Sequence, residues 1–124
     1  MRIAADNLIE VIRTLLLAMG AEDQEAQLVA TILVEADMRG IRTHGCAFLP
    51  LIAERCAHGL LNLPTQVKLI TDEGAVAHID GNNGLGQVAA VEAMEMILEQ
   101  QAAGCPDCVV RYDGRALKLH KPQS

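Results

Sequence analysis

Apolar residues near the N-terminus recur at helical spacing in two separate runs. The first run begins at Leu8 and stops at Gly20, and the second begins near Asp23 and stops at Gly40. Glycine often follows the last helical residue because it adopts the left-handed conformation at little cost. The pattern therefore predicts a helical hairpin with a tight connection, capped at its start by Asp6. The buried stripe predicted for the second helix is Ala26, Val29, Ile32, Leu33 and Ala36.

The helical spacing continues into a third element and then gives way to alternation. Residues 49–58 predict a helix that Gly59 ends, with Pro50 tolerated only because it falls in the first turn. Alternating apolar positions within residues 67–79 predict two short strands, joined by a turn at residues 72–74.

A glycine-rich loop at residues 80–86 leads into a long predicted helix at residues 87–103. A further short strand is predicted at Val109 and Val110. The predicted fold class is therefore α+β: a helical hairpin and a third helix, followed by a short β-hairpin and a long helix. The apolar face predicted for the long helix is Val88, Val91, Met94, Ile97 and Leu98.

Composition excludes several classes of function. The 124 residues carry a formal net charge of −6 and contain one Phe, one Tyr and no Trp. An acidic chain with few aromatic rings lacks the basic, stacking surfaces of nucleic-acid binders, and its core is expected to be aliphatic. The apolar run from Leu15 to Met19 is too short to cross a bilayer, and no signal-peptide pattern precedes it. A cytoplasmic protein that binds no membrane is expected.

Four cysteines occur, at positions 46, 56, 105 and 108. We expect free thiols, because disulfides are rare in the cytosol. Cys105 and Cys108 have CxxC spacing, but they follow a predicted helix end, whereas a thioredoxin-type pair starts a helix. A zinc site would need two further ligands, and only His120 is close in sequence. A metal or redox module is thus the weakest alternative, and no metal ligands are predicted.

His44 is the best candidate for chemistry. An imidazole titrates near neutral pH, so it can give or take a proton in general acid–base catalysis. Thr43 beside it can bond a substrate oxygen or orient the ring, and Gly45 would let the backbone turn and leave room for a ligand. A structural histidine is the competing interpretation. Arg39 in the last turn of the helix complements the helix dipole, and Asp37 can pair with it or with Arg42.

The segment around this histidine resembles the Asp-x-Arg-Gly-x-x-Ser/Thr-His-Gly signature of the type 2 malate/L-lactate dehydrogenases. The stretch that matches this signature is Asp37-Met38-Arg39-Gly40-Ile41-Arg42-Thr43-His44-Gly45. Residues 80–86 resemble a second segment of the family, Asp-Gly-x-x-Gly-x-Gly, and Ala93-Met94 follow as in family members.

The resemblance implies an oxidoreductase that transfers a hydride between NAD or NADP and a small 2-hydroxy or 2-oxo acid. His44 would be the catalytic proton donor or acceptor, with Thr43 beside it. The chain would be one N-terminal fragment, residues 1–124, of a larger α/β fold that is not a Rossmann fold. Its parts would be a helical part (1–63), a mixed part (64–111) and a divergent tail (105–124).

Two departures from the family pattern stand out. Many members have an arginine, suited to a substrate carboxylate, where this chain has Phe48. Their later His-x-Gly loop is replaced here by Arg115-Ala116-Leu117. We therefore expect the chain to be inactive alone, and its tail to pack poorly apart from a strand at Val109 and Val110, which would pair with the hairpin.

Two further expectations concern binding. The glycines of residues 81–86 are ordered GxxGxG rather than GxGxxG, and no P-loop lysine follows, so the loop is interpreted as a turn into a helix. No residue is assigned to the cofactor.

The alternative function is a small helical interaction protein without catalysis, in which exposed apolar surface would favour a homo-oligomer.

Overall fold

The computed structural model describes residues 2–72, 76–102, 109–112 and 117–120. Two short 3₁₀ turns, Arg42–His44 and Cys46–Phe48, separate the second and third helices. No helix within the described ranges is long and apolar enough to cross a membrane. The helices are α1 (Ala5–Met19), α2 (Asp23–Met38), α3 (Leu49–Ala57) and α4 (Gly86–Ala102), and the strands are β1 (Lys68–Asp72), β2 (Val76–Asp80), β3 (Val109–Tyr112) and β4 (Leu117–His120).

The predicted helical hairpin is confirmed, with both of its glycine stops. Gly20 has φ +111°, and its N–H bonds the carbonyls of the last turn of α1. Gly40 has φ +78°, and the following N–H of Ile41 bonds the carbonyl of Ala36 at 2.9 Å. The predicted cap at Asp6 is wrong. Helix α1 begins at Ala5, so Asp6 lies inside the first turn. There its negative charge interacts favourably with the positive end of the helix dipole.

The core is aliphatic, and α2 is its centre. The predicted stripe of α2 is right for Ala26, Val29 and Leu33, but Ile32 and Ala36 are only half-buried. Ala30 and Val34 are buried instead, because the buried face follows the i, i+3, i+4 spacing from Ala26. The buried members of this core are Ile12, Leu16, Ala21, Ala26, Val29, Ala30, Leu33, Val34, Ile52, Leu85 and Val88.

The four described strands form one antiparallel sheet in the order β1-β2-β4-β3. The predicted hairpin is present, and β1 carries an irregularity between Leu69 and Thr71. Its turn falls partly on residues 73–75, outside the described residues. The strand predicted at Val109 and Val110 is also present, but it pairs with β4 rather than with the hairpin. The expectation that this would be the tail's only element is wrong, since β4 lies between β2 and β3.

Helix α4 contacts α2 on one side and the strands β3 and β4 on another. Its predicted apolar face is right for Val88 but wrong for Met94 and Leu98, which are 51% and 58% exposed. Leu85 and Ala93 are buried instead. Ala93 carries a weaker hydrophobic signal than Met94 and Leu98, so the sequence pattern favours the wrong side of the helix. The overall class is α+β, as predicted.

Candidate acid–base site

The loop after α2 presents Thr43 and His44 at the surface. Thr43 Oγ1 lies 2.9 Å from His44 Nδ1, and both residues are exposed. Because a hydroxyl can donate or accept, this contact suits either tautomer of the ring. When Thr43 donates to Nδ1, the proton is on Nε2, which becomes a donor; when Nδ1–H donates to Thr43, Nε2 becomes an acceptor. Among the described residues, Nε2 has no hydrogen-bond partner and is free to exchange a proton.

The loop is held to α2 by the carboxylate of Asp37. The backbone N–H of Cys46 donates to Asp37 Oδ2 at 2.9 Å. A Cβ atom at Gly45 would overlap the same carboxylate. Gly45 has φ −97°, so its backbone angle does not require glycine. The interpretation that Gly45 leaves room for a ligand is therefore wrong, because Asp37 fills that room.

The partner of Asp37 at this loop is Cys46 rather than a predicted arginine. Hydrogen bonding from the thiol and the backbone N–H of Cys46 lowers the pKa of Asp37, and nearby Arg42 lowers it further. Burial raises the pKa of the Cys46 thiol to about 11, and the neighbouring Asp37 carboxylate adds to the effect. Within the described residues, no ion pair joins Asp37 to Arg39 or Arg42. Asp37 is still scaffold for the histidine loop, but it acts on backbone N–H groups.

A second glycine-dependent contact joins α2 to the start of α4. The hydroxyl of Thr65 accepts a hydrogen bond from Leu85 N at 2.9 Å, and Thr65 N donates to Glu25 Oε2 at 3.0 Å. A Cβ atom at Gly84 would overlap the Thr65 side chain. Glu25 is only 7% exposed, and Glu22 N also donates to it. Sequence reasoning missed Glu25 and Thr65, because no local pattern connects residues so far apart along the chain.

Three backbone N–H groups of the glycine-rich loop are hydrogen-bonded within the chain. Asn82 N donates to Asp80 Oδ1 at 2.8 Å, and Gly84 N donates to the carbonyl of Gly81 at 2.9 Å. Leu85 N is held by Thr65, as above. A dinucleotide phosphate needs free N–H groups. The N–H groups of residues 82, 84 and 85 are therefore not free, and the loop is a turn that leads into α4, as predicted.

No cluster of three metal-ligating side chains occurs in the part of the chain that the structure describes. Cys46 and Cys56 are free thiols. Cys105 and Cys108 lie outside the described residues, so the CxxC alternative stays a prediction.

Comparison with known proteins decides the family. The sequence profile of the malate/L-lactate dehydrogenases matches residues 3–110. The chain belongs to this family. It is 35% identical over 99 residues to hydroxycarboxylate dehydrogenase B of Escherichia coli O157:H7, covering 80% of this chain and 27% of that protein. It is 33% identical over 99 residues to malate dehydrogenase of Pyrococcus abyssi, with the same two coverages.

Solved structures of family members have the same fold in the matched region. Sulfolactate dehydrogenase from Methanocaldococcus jannaschii gives a TM-score of 0.80 at 29% identity, covering 89% of this chain and 31% of that one. Malate dehydrogenase from Pyrococcus horikoshii gives 0.79 at 30% identity, covering 85% and 30%. The described fold is thus one part of a larger malate/L-lactate dehydrogenase fold, and the chain spans about 27% of the length of its first relatives.

Proposed function

We propose that this chain supplies the proton-transfer group for the reversible oxidation of a small 2-hydroxy acid. The contact between Thr43 Oγ1 and His44 Nδ1 carries the proposal, because it orients the ring and leaves Nε2 available. In the oxidative direction, Nε2 takes the proton from the substrate hydroxyl as the carbinol carbon is oxidised. In the reductive direction, the protonated ring returns that proton to the oxygen.

Thr43 is proposed to position His44 in both directions. Its hydroxyl accepts a hydrogen bond from Nδ1–H both in the neutral ring, whose Nε2 takes the proton, and in the imidazolium that returns it, so the ring is held throughout the proton transfer. The loop itself is fixed by the Asp37–Cys46 hydrogen bond at 2.9 Å. Fixed geometry matters because catalysis is sensitive to small displacements of the reacting groups.

The substrate class and cofactor are proposed from the family. The relatives named above act, by their names, on malate, hydroxycarboxylates and sulfolactate, and a ureidoglycolate dehydrogenase (NAD(+)) from Escherichia coli O157:H7 is 35% identical over 95 residues. We propose NAD or NADP as the hydride carrier. No cofactor contact is assigned to the loop of residues 81–86.

We further propose that these 124 residues alone do not turn over substrate. They span about 27% of the length of the first relatives, so most of the residues that those proteins use are outside the matched part. Purified chain is expected to give no malate or lactate oxidation with NAD or NADP above background. Turnover that disappears in His44→Ala would contradict this and place the cofactor site within the chain.

A chimera tests the role of His44. Residues 1–102 of this chain replace the matched segment of Escherichia coli hydroxycarboxylate dehydrogenase B, and NAD(P)H-dependent reduction of 2-oxo acids is measured. We expect activity that His44→Ala lowers at least a hundredfold, as general acid–base catalysis supplies about 10²–10⁴. The control, Arg2→Gln, changes an exposed residue that precedes α1 and should match the unmodified chimera. A fully active His44→Ala chimera would refute the proposal.

The alternative, an interaction protein without catalysis, is favoured by one observation. Large apolar side chains are exposed on several elements, including Met38 at 72% and Leu60 at 66%. Under this alternative the chain would form a homo-oligomer through such residues. Sedimentation equilibrium distinguishes the two: a stable oligomer that Leu60→Ser dissociates would support it, and a monomer at all concentrations would oppose it.

A further inference from the structure

A small cleft lies between α3 and the loop that begins α4. Its volume is about 240 Å³. Three of its residues, Phe48, Ile52 and Arg55, are spaced i, i+4 and i+7, so they share one face of the helix. Neither His44 nor Thr43 lines it. The residues that line the cleft are Phe48, Ile52, Arg55, Leu61, Gly84, Leu85, Gly86 and Gln87.

The walls of this cleft are apolar, and its polar side chains are one cation and one amide. Phe48, Ile52 and Leu61 supply the apolar walls, while Arg55 and Gln87 supply the polar groups. Among the described residues, Arg55 forms no salt bridge, whereas both ion pairs present involve Arg13. A guanidinium presents paired N–H donors that match a carboxylate. Its charge is here not neutralised by any described side chain.

The size of the cleft limits the ligand. Pockets for drug-sized molecules usually have volumes of about 300–1,000 Å³. A cleft below that range accommodates a molecule of a few carbon atoms. Apolar walls with one cationic group favour a short carbon chain that ends in one carboxylate over a highly charged ligand, since each further charge would need its own partner.

We propose that Arg55, with Gln87, binds the carboxylate of a small 2-hydroxy or 2-oxo monocarboxylic acid in this cleft, with its carbon chain against Phe48 and Leu61. The choice of acid rests on the proposed function, but the site does not. Phe48 itself cannot bind an anion. Arg55 lies two helical turns further along the same face and brings the positive charge to the same cleft.

Nuclear magnetic resonance titration of the full chain tests this site without requiring turnover. Sodium L-lactate is added at constant ionic strength, with neutral lactamide and inorganic phosphate as parallel probes. We expect saturable shifts of the Gly86 and Gln87 amides and of Arg55 Nε with lactate, and at least tenfold weaker effects with lactamide and phosphate. Equal responses to phosphate would indicate a general anion site and overturn the proposal.

Variants complete the test. Arg55 is exposed, so Arg55→Gln should fold normally, as judged by circular dichroism, and weaken lactate binding at least tenfold. Arg55→Lys should retain part of the affinity, and Arg2→Gln, which removes the same charge elsewhere, should retain all of it. Unchanged binding in Arg55→Gln would overturn the assignment.

The two proposals fail separately. If His44→Ala abolishes turnover of the chimera but leaves lactate binding to the chain intact, both stand. If lactate does not bind the chain while the chimera depends on His44, the cleft proposal alone is wrong. If lactate binds through Arg55 but the chimera does not depend on His44, the acid–base proposal alone is wrong.

Discussion

The carboxylate of Asp37 occupies the space that a side chain at Gly45 would need. Its Oδ2 accepts the N–H of Cys46 at 2.9 Å, and a Cβ atom on Gly45 would overlap both carboxylate oxygens. Glycine is thus required here by close packing of a charged group against the backbone. The position of His44 therefore depends on how closely Asp37 of α2 packs against Gly45, the next residue of the loop.

Replacing Gly45 with alanine should destabilise the chain. The new methyl group would displace Asp37, and overpacking of this kind costs about 1–3 kcal/mol. Gly86→Ala is the matched control, since a Cβ there meets no atom within 4 Å. Urea unfolding measures both free energies. Equal stability of the two variants would show that the loop adapts to the methyl group without cost.

Asp37→Asn should show a pH-dependent loss of stability. The pKa of Asp37 is lowered in the folded chain, so its charge contributes stability that is complete above the unfolded pKa of about 4 and is lost as pH falls through the folded pKa. The unmodified chain should exceed Asp37→Asn by about 1 kcal/mol at pH 6–8, as expected for a hydrogen bond to a charged rather than a neutral group. The difference should shrink below pH 4. A constant difference down to pH 2 would contradict the stabilising role of the charge.

The thiol of Cys46 should resist alkylation in the folded chain. Its pKa of about 11 leaves little thiolate at pH 8.5, whereas an unfolded cysteine, with a pKa of about 8.5, is about half ionised. Peptide-level mass spectrometry with iodoacetamide should show at least tenfold slower labelling of Cys46 in the folded than in the denatured chain. Asp37→Asn should speed the folded reaction by removing the neighbouring charge. Equal rates in the folded and denatured chains would contradict the burial.

Thr65→Val should destabilise the chain by about 1–3 kcal/mol. Valine has the shape of threonine but no hydroxyl, so Leu85 N would lose its acceptor in a partly buried position. Thr65→Ser keeps the acceptor and should recover more than half of the loss. Thermal unfolding compares the two. If serine and valine cost the same, the methyl group rather than the hydrogen bond holds this junction.

The sequence was sufficient to predict most helices, because their signals are local. Gly20, Gly40 and Gly59 all have positive φ, at +111°, +78° and +69°, and each follows a predicted helix. Asp6 misled the prediction because an acidic residue is favoured both at a cap and in the first turn. Met94 and Leu98 misled it because large apolar residues dominate a periodicity even when a neighbouring alanine, here Ala93, is the buried residue.

The contacts that organise the candidate site were not predictable, because they join distant positions. His44 was identified from its surroundings in sequence, but Asp37 reaches Cys46 across the end of a helix, and its effect on Gly45 is visible only in three dimensions. Glu25 is one of several acidic residues at the start of α2, and nothing local distinguishes it as buried. Strand β4 was missed because its alternation of apolar and polar residues, Leu117-Lys118-Leu119-His120, covers only four residues of a tail interpreted as divergent.

The link from Glu25 through Thr65 to Leu85 closes two long loops of chain, of 40 and 20 residues. Closing such loops costs more conformational entropy than forming contacts between residues that are close in sequence. The α1–α2 hairpin, by contrast, is stabilised by residues close together in sequence. We therefore expect local opening to be uneven: the amides of Asn62, Leu63 and Thr65 and of residues 81–86 should exchange with solvent through small openings that leave the hairpin intact. The glycine-rich loop would then be the hinge about which the chain opens, and the hydrogen bond from Leu85 N to Thr65 would hold it closed.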